Sequence, residues 1–196
     1  MPLTPCSKNI IFIPPTCAPA AGGIARIGIA DATLFDFTQA APVSGVIQPY
    51  TAITDLGTST EIYGVQFTRN KARYTVDKKN DNGTNPAYTH KINFDVPNIS
   101  MITTQWSSLI DQQGYCCGVL VFLFFNTGVV MIMGESSVNG ATLTVPFYTW
   151  NSDGKGDSGQ KFDEPNAYNT SIMGEYNRGL IQYTGDVDAL LAMFAS

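Results

Sequence analysis

Charge is scarce in this chain. Asp, Glu, Lys and Arg make up 14% of its 196 residues, where an ordinary globular domain carries about 25%. A chain this poorly charged that stays in solution is expected to hide much of its surface against other chains. Basic residues are scarcer still, 11 against 16 acidic for a net charge of −5. That excludes nucleic-acid binding by phosphate neutralisation, which needs clustered Lys and Arg. The single histidine, His90, leaves almost no general base for a nucleophilic triad. Long apolar runs are missing too: the longest, Gly118 to Phe125, is too short for a membrane helix. The four cysteines, Cys6, Cys17, Cys116 and Cys117, show no paired CxxC spacing and so no zinc framework.

What is present excludes other classes. With 44% hydrophobic residues, 9 Tyr and 11 Phe, the chain is not intrinsically disordered. With 18 Gly and 11 Pro spread along it, it is not a coiled coil. Cys6 and Cys17 could bridge in an oxidising setting. Cys116 and Cys117 would point to opposite faces of a strand and read as small apolar residues. Met1 to Thr16 has no secretory pattern, so synthesis in a reducing cytoplasm is expected.

The charges are unevenly placed. Residues 1–68 sum to −2, residues 96–134 hold only Asp111, and residues 135–196 sum to −5. Residues 69–95 sum to +3 and hold six of the eleven basic side chains, Arg69, Lys71, Arg73, Lys78, Lys79 and Lys91. One basic segment in an acidic molecule suits contact between copies of the chain. The plainer reading is a solvated ribbon whose lysines guard an edge against aggregation.

Residues 1–23 are rich in Pro, Ala and Thr and read as an extended arm, with one domain over 24–196. Ile24 to Ala30 alternates as a strand. The stretch Asp31 to Thr60 reads as loop, with one short strand around Val46. Three period-two runs follow. In Glu61 to Arg69 the residues Tyr63, Val65 and Phe67 share a face opposite Ile62. In Ala72 to Val76 and Tyr88 to Val96 the apolar sets are Ala72, Tyr74, Val76 and Tyr88, His90, Ile92, Phe94, Val96. The polar turn between the last two contains Asn82-Gly83, which predicts a long hairpin with a charged tip. Asn98 is a good N-cap, and Ile99, Ile102, Trp106, Leu109 and Ile110 stand at helical spacing before Gly114. Val119 to Phe125, the turn Asn126-Thr127-Gly128 and Val129 to Met133 predict a hairpin buried on both faces, beneath that helix. A strand over Ala141 to Tyr148, a Gly-rich acidic loop over 151–159, strands near Ala167 to Met173 and Leu180 to Tyr183, and a helix over Val187 to Phe194 capped by Asp186 complete the chain. The fold class expected is mainly β: an antiparallel sandwich or open barrel with one flanking helix, a long hairpin and a short C-terminal helix.

No catalytic or metal motif stands out. His90 lies on the apolar face of a strand, where a lone histidine is usually a packed, hydrogen-bonded residue rather than a base. Asp153-Gly-Lys-Gly-Asp157 has the alternation of a calcium loop without its terminal glutamate, because Glu164 stands eleven residues after Asp153 and Lys155 intrudes. Asp163 and Glu164 are adjacent and would diverge on a strand, so they make no glycosidase pair. Trp106 reads as core. Trp150, beside Phe147 and Tyr148, reads as a sugar-stacking platform or an interface anchor. No catalytic, cofactor or metal residue is therefore expected.

The order of features from residue 22 resembles the tail-tube-like structural proteins of tailed bacteriophages, notably the ring-forming tail and neck components of crAss-like phages. The resemblance rests on Gly22-Gly23-Ile24-Ala25-Arg26-Ile27-Gly28-Ile29-Ala30-Asp31, the long hairpin, the central helix and the turn at Asn126-Thr127-Gly128. It continues through Gly128-Val-Val-Met-Ile-Met-Gly134-Glu135 with Asn139-Gly140, and ends on Ser158-Gly159, Asp163, Asn166 and Tyr168. It covers the chain apart from the arm. It implies a non-enzymatic virion subunit, assembled in the host cytoplasm into a six- or twelve-fold ring of the tail or portal-proximal neck. In such rings a hairpin reaches onto the neighbouring copy and sheets join around a channel. The partners implied are further copies and adjoining tail, portal or neck proteins. DNA passes without specific binding, and no membrane is involved. The basic set Arg69, Lys71, Arg73, Lys78, Lys79 and Lys91 is then the inter-subunit surface, and Asp153, Asp157, Asp163 and Glu164 the acidic docking or lumen surface. The alternative is a capsid decoration or glycan-binding module using Trp150.

Overall fold

A computed structural model describes residues 22–41, 43, 47–57, 62–68, 70–79, 87–97, 108, 118–143, 150–151, 155–157, 167–176 and 178–195. The fold is mainly β, as its composition and alternation predict. Its strands are β1 (Ile24–Asp31), β2 (Phe35–Gln39), β3 (Tyr50–Asp55), β4 (Tyr63–Val65), β5 (Arg73–Lys79), β6 (Ala87–Pro97) and β7 (Val119–Phe125). They continue as β8 (Val130–Met133), β9 (Ser137–Val138), β10 (Ala141–Thr142), β11 (Trp150–Asn151), β12 (Lys155–Asp157), β13 (Ala167–Tyr176) and β14 (Ile181–Tyr183), before helix α1 (Val187–Ala192).

Nine strands form one sheet in the order β10-β9-β2-β3-β14-β8-β7-β1-β4. Five form a second, in the order β11-β13-β6-β5 with β12 also on β13. The centre of the molecule is β7, continuously apolar and buried through its first six residues. A strand buried on both faces needs a cover on each. Val119, Val121 and Leu123 join Ile27, Ile29, Ile92, Phe94 and Ile172 in a core shared by the two sheets. Leu120, Phe122 and Phe124 turn the other way, into a core with Phe35, Phe37, Tyr50, Ile132 and Leu190 of α1. Each such side chain removed from water is worth about 1.5–3 kcal/mol, and β7 contributes three of them to each core. Helix α1 closes the second core and begins where expected, with the Asp186 carboxylate accepting from the Asp188 and Ala189 amides at 2.9 and 3.2 Å.

Gly28 shows how tightly β1 is covered on that side. A Cβ there would stand 2.6 Å from the Phe194 ring and 2.8 Å from Ile62 Cγ2. Gly28→Ala must therefore push Phe194 off the sheet, at an expected cost of about 1–3 kcal/mol, read as a lower urea midpoint at unchanged slope.

Several sequence expectations are corrected. The region 31–60 is not loop alone: β2 and β3 lie there, whereas the short strand expected around Val46 lies outside the described residues. The strand expected over 61–69 is only Tyr63–Val65, and its facing is partly reversed. Ile62 is fully buried and Tyr63 is 59% exposed, because the C-terminal segment grips Ile62 through Ile62 N–H to Met193 O (3.0 Å) and Ala195 N–H to Ile62 O (2.9 Å). The sheets are not wholly antiparallel either, since β14 pairs β3 and β2 pairs β9 in parallel. Part of the expected loop at 151–159 is strand, β11 and β12 both adding to β13. The helix around 99–110, the cysteines, Trp106 and the arm through residue 21 lie outside the described residues, apart from exposed Ser108.

Candidate interaction site

Alternation places the functional side chains of the basic hairpin. Strands β5 and β6 pair antiparallel from Arg73 opposite Asn93 to Lys79 opposite Ala87, as the sequence predicts. Residues directly opposite share a face, so Tyr74, Val76 and Lys78 look the same way as Ile92, His90 and Tyr88. At one end this face is core: Ile92 and Phe94 are fully buried. Toward the other end only the outer strand opens: Val76 on the same face is 48% exposed, while His90 opposite it is buried and β6 stays paired to β13 as far as Tyr88 opposite Tyr176. There the Lys78 ammonium stands 5.7 Å from the Tyr88 ring centroid, a cation–π contact on an otherwise open surface. Strand β5 is the last of its sheet, with no strand on its outer side among the described residues. Among the described residues no strand pairs with its outer row of backbone donors and acceptors.

The six basic residues do not form one patch. Lys71 and Arg73 are exposed at the root of the hairpin and Lys78 is exposed near its end. Arg73 and Lys91 lie on the outer face of the sheet, with Asp77, Asp95 and Glu175 at alternating positions, whereas Lys78 lies on the opposite face. Lys79 continues the ladder, but its side chain lies outside the described residues, as does all of Arg69. Of the acidic set, Asp157 is placed only by its backbone, opposite Ala167 on β13. Asp153, Asp163 and Glu164 lie outside the described residues, and Trp150 is placed by its backbone, opposite Met173.

At the base of the hairpin runs a buried polar seam that joins the two sheets. His90 is 1% exposed. Its Nε2 lies 3.0 Å from the Arg178 carbonyl and its Nδ1 2.6 Å from the Tyr74 hydroxyl. A carbonyl only accepts, so Nε2 carries the proton and Nδ1 accepts from Tyr74. The imidazole stacks on Tyr74 and Tyr88 and meets the Tyr176 ring edge-on, with centroids 5.1 Å apart. Burial holds its pKa below the ordinary histidine value, with the Arg178 charge adding to that and the bond to the Arg178 carbonyl opposing it. Burial also pushes the Tyr74 hydroxyl up to about 12.

Arg178 lies in the crossover between β13 and β14 and faces the nine-stranded sheet. Its guanidinium pairs with Glu135, which is 1% exposed just after β8. The Tyr50 hydroxyl, at the start of β3, donates to the same carboxylate oxygen at 2.9 Å. Burial first and Glu135 second push that hydroxyl upward. Burial pulls Arg178 down, but the Glu135 carboxylate and Tyr50 more than offset it and the guanidinium is held firmly charged. Gly134, at φ +91°, turns its amide to donate to the Tyr176 hydroxyl. Glu135 Oε2, Arg178 Nη1 and Thr89 Oγ1 are buried without a partner among the described residues.

The sequence reading gave no role to Tyr50 or Arg178 and quoted Glu135 only as the end of the run from Gly128. A usable signal was present: Glu135 stands two residues after the apolar strand Val130–Met133, and a charge at such a place needs a partner. The arrangement has no nucleophile–base pair, and no group of three metal-ligating side chains occurs among the described residues. No helix there is long and apolar enough to cross a membrane. No protein-family model, curated protein or solved structure matches the chain.

Proposed function

We propose that the chain is a non-enzymatic virion structural protein, a ring- or tube-forming subunit of a phage tail or portal-proximal neck that forms part of the DNA conduit. The observation that carries this reading is the β5–β6 hairpin, whose outer strand β5 has no strand beyond it among the described residues and whose exposed Val76 and Lys78 share one face. An element of this kind on a sparsely charged, net acidic molecule is suited to a neighbouring copy of opposite local charge. The acidic C-terminal third supports a lumen that repels phosphate, so that DNA passes without being held. The partners in this reading are further copies in a six- or twelve-fold ring and adjoining tail, portal or neck proteins.

The test is charge reversal at the hairpin end, Lys78→Glu with Lys79→Glu. Assembly measured by native mass spectrometry or electron microscopy is expected to weaken by about tenfold or more for each reversed charge, while the monomer stays folded. Unimpaired rings or tubes in the double variant would remove the hairpin from the interface.

A further inference from the structure

The lone histidine is built into the joint between the two sheets, and its chemistry gives that joint a response to acid. His90 sits on β6 of the five-stranded sheet. Its Nε2–H holds the carbonyl of Arg178, in the segment that carries the chain across to the nine-stranded sheet. The same residue's guanidinium is tied to Glu135 on the far side, and the Tyr176–Gly134 bond runs alongside. Three polar links therefore cross at one end of the sandwich.

The surroundings of the ring decide what protonation does. From β5 it faces Tyr74, with Lys78 farther along against Tyr88. From its own strand it faces Tyr88, from β13 Tyr176, and from the crossover Arg178 with Glu135 behind it. Among the described residues no carboxylate bonds either ring nitrogen, and the seam's carboxylate, Glu135, is engaged by Arg178 and Tyr50. An imidazolium would have both nitrogens as donors. Nδ1–H would then oppose the hydroxyl proton of Tyr74, which has to turn away. The stacked rings of Tyr74 and Tyr88 favour a cation. That gain is smaller than the penalty of an unpaired charge at 1% exposure next to a guanidinium, and the downward shift of the His90 pKa has the same sign. The far half of the inter-sheet core, Ile27, Ile92, Phe94, Val121 and Leu123, holds no titratable group.

We propose that His90 is an acid-sensitive clasp: protonating its ring opens the seam where the β13–β14 crossover ties the sheets together, while the Ile27–Phe94 half of the core stays packed. The direction follows from linkage. A histidine with a lowered folded pKa leaves the joint intact above the unfolded value of about 6.5 and weakens it as pH falls below that. The inference stands apart from the virion reading, since it concerns the isolated protein.

Because the chain has one histidine, a single imidazole Cε1–H signal reports the ring by NMR, and amide hydrogen exchange reports the seam. Between about pH 7.5 and about pH 5, exchange corrected for intrinsic rates is expected to rise about tenfold or more at Gly134 and over 176–183. Phe94 and Val121 should stay protected, and the imidazolium signal should appear over the same range. His90→Gln, which retains a donor toward Arg178 but cannot titrate, is expected to give a flat exchange profile. The same acid opening in His90→Gln, or a protonated ring with seam amides still protected, overturns the clasp. Should His90→Gln not fold, the coincidence of imidazolium formation and seam exchange in the wild-type protein decides: separate midpoints overturn the proposal and a common midpoint supports it.

Discussion

Arg178→Ala is expected to cost about 3–5 kcal/mol of folding stability, and the lower end is favoured because the arginine side chain is 23% exposed. The loss comes less from the missing attraction than from what remains. Glu135, 1% exposed, would be left buried with the Tyr50 hydroxyl as its one remaining side-chain partner among the described residues. Urea denaturation should show a lower midpoint with an unchanged slope. The carbonyl that His90 holds belongs to the backbone and survives the substitution. Replacing the whole group, Tyr50→Phe with Glu135→Leu and Arg178→Met, removes the triad's side-chain polar atoms together and is expected to fall within about 1–2 kcal/mol of wild type, on either side. A single-variant loss below about 1 kcal/mol would show that Glu135 reaches water or another partner, and the seam would then not hold the sheets.

The contrast between that triad and the hairpins explains what a sequence can disclose. The β7–β8 hairpin, the β5–β6 register and the Asp186 cap are legible because each is local: alternation, an apolar run and a side chain two or three residues from the amides it caps. The triad is not. Tyr50 and Glu135 are 85 positions apart and Arg178 is 43 beyond Glu135, so no spacing rule joins them, and each alone reads as an ordinary polar residue. The same holds for the parallel pairings of β2 with β9 and β3 with β14, which no turn connects. Strand β3 was hidden for a different reason. Only Tyr50 of its six residues is buried, so its ladder is set by the neighbouring strands and not by its own hydrophobic face. Facing failed at Ile62 because the C-terminal segment, 131 positions away, decides which way that residue turns.

The histidine shows the opposite case, where the residue was legible and its role was not. Alternation alone places His90 inward, and a packed, hydrogen-bonded residue is what the fold contains. That its partners among the described residues are a hydroxyl and a carbonyl depends on β5 and on the crossover at Arg178. The identity of the partners, rather than burial itself, makes the site respond to acid. A histidine bonded to a carboxylate in the same position would have gained stability from protonation instead.

Phe122→Ala is expected to cost about 3–5 kcal/mol, as much as breaking the ion pair, by a purely apolar route. Phe122 is fully buried at the centre of β7, with ring centroids 6.1 Å from Phe35 and 6.4 Å from Phe37. Both neighbours stand on β2, so Phe122 packs one side of the nine-stranded sheet against strands that do not adjoin its own. Strands β3, β14 and β8 lie between, and the cavity left by truncation could close only by moving several strands together. Phe122→Leu retains most of the volume and should cost less than about 1.5 kcal/mol, whereas truncating exposed Tyr63 to alanine should stay within about 0.5 kcal/mol. The sharper result is the coupling. Phe37 packs on Tyr50 at 4.9 Å between centroids, and Tyr50 holds Glu135. Phe122→Ala should therefore loosen the tyrosine that shares the arginine's carboxylate. In a double-mutant cycle with Arg178→Ala an interaction of about 0.5 kcal/mol or more is expected. Strict additivity would mean that the apolar core and the polar seam are independent, and that Tyr50 is positioned by its own strand alone.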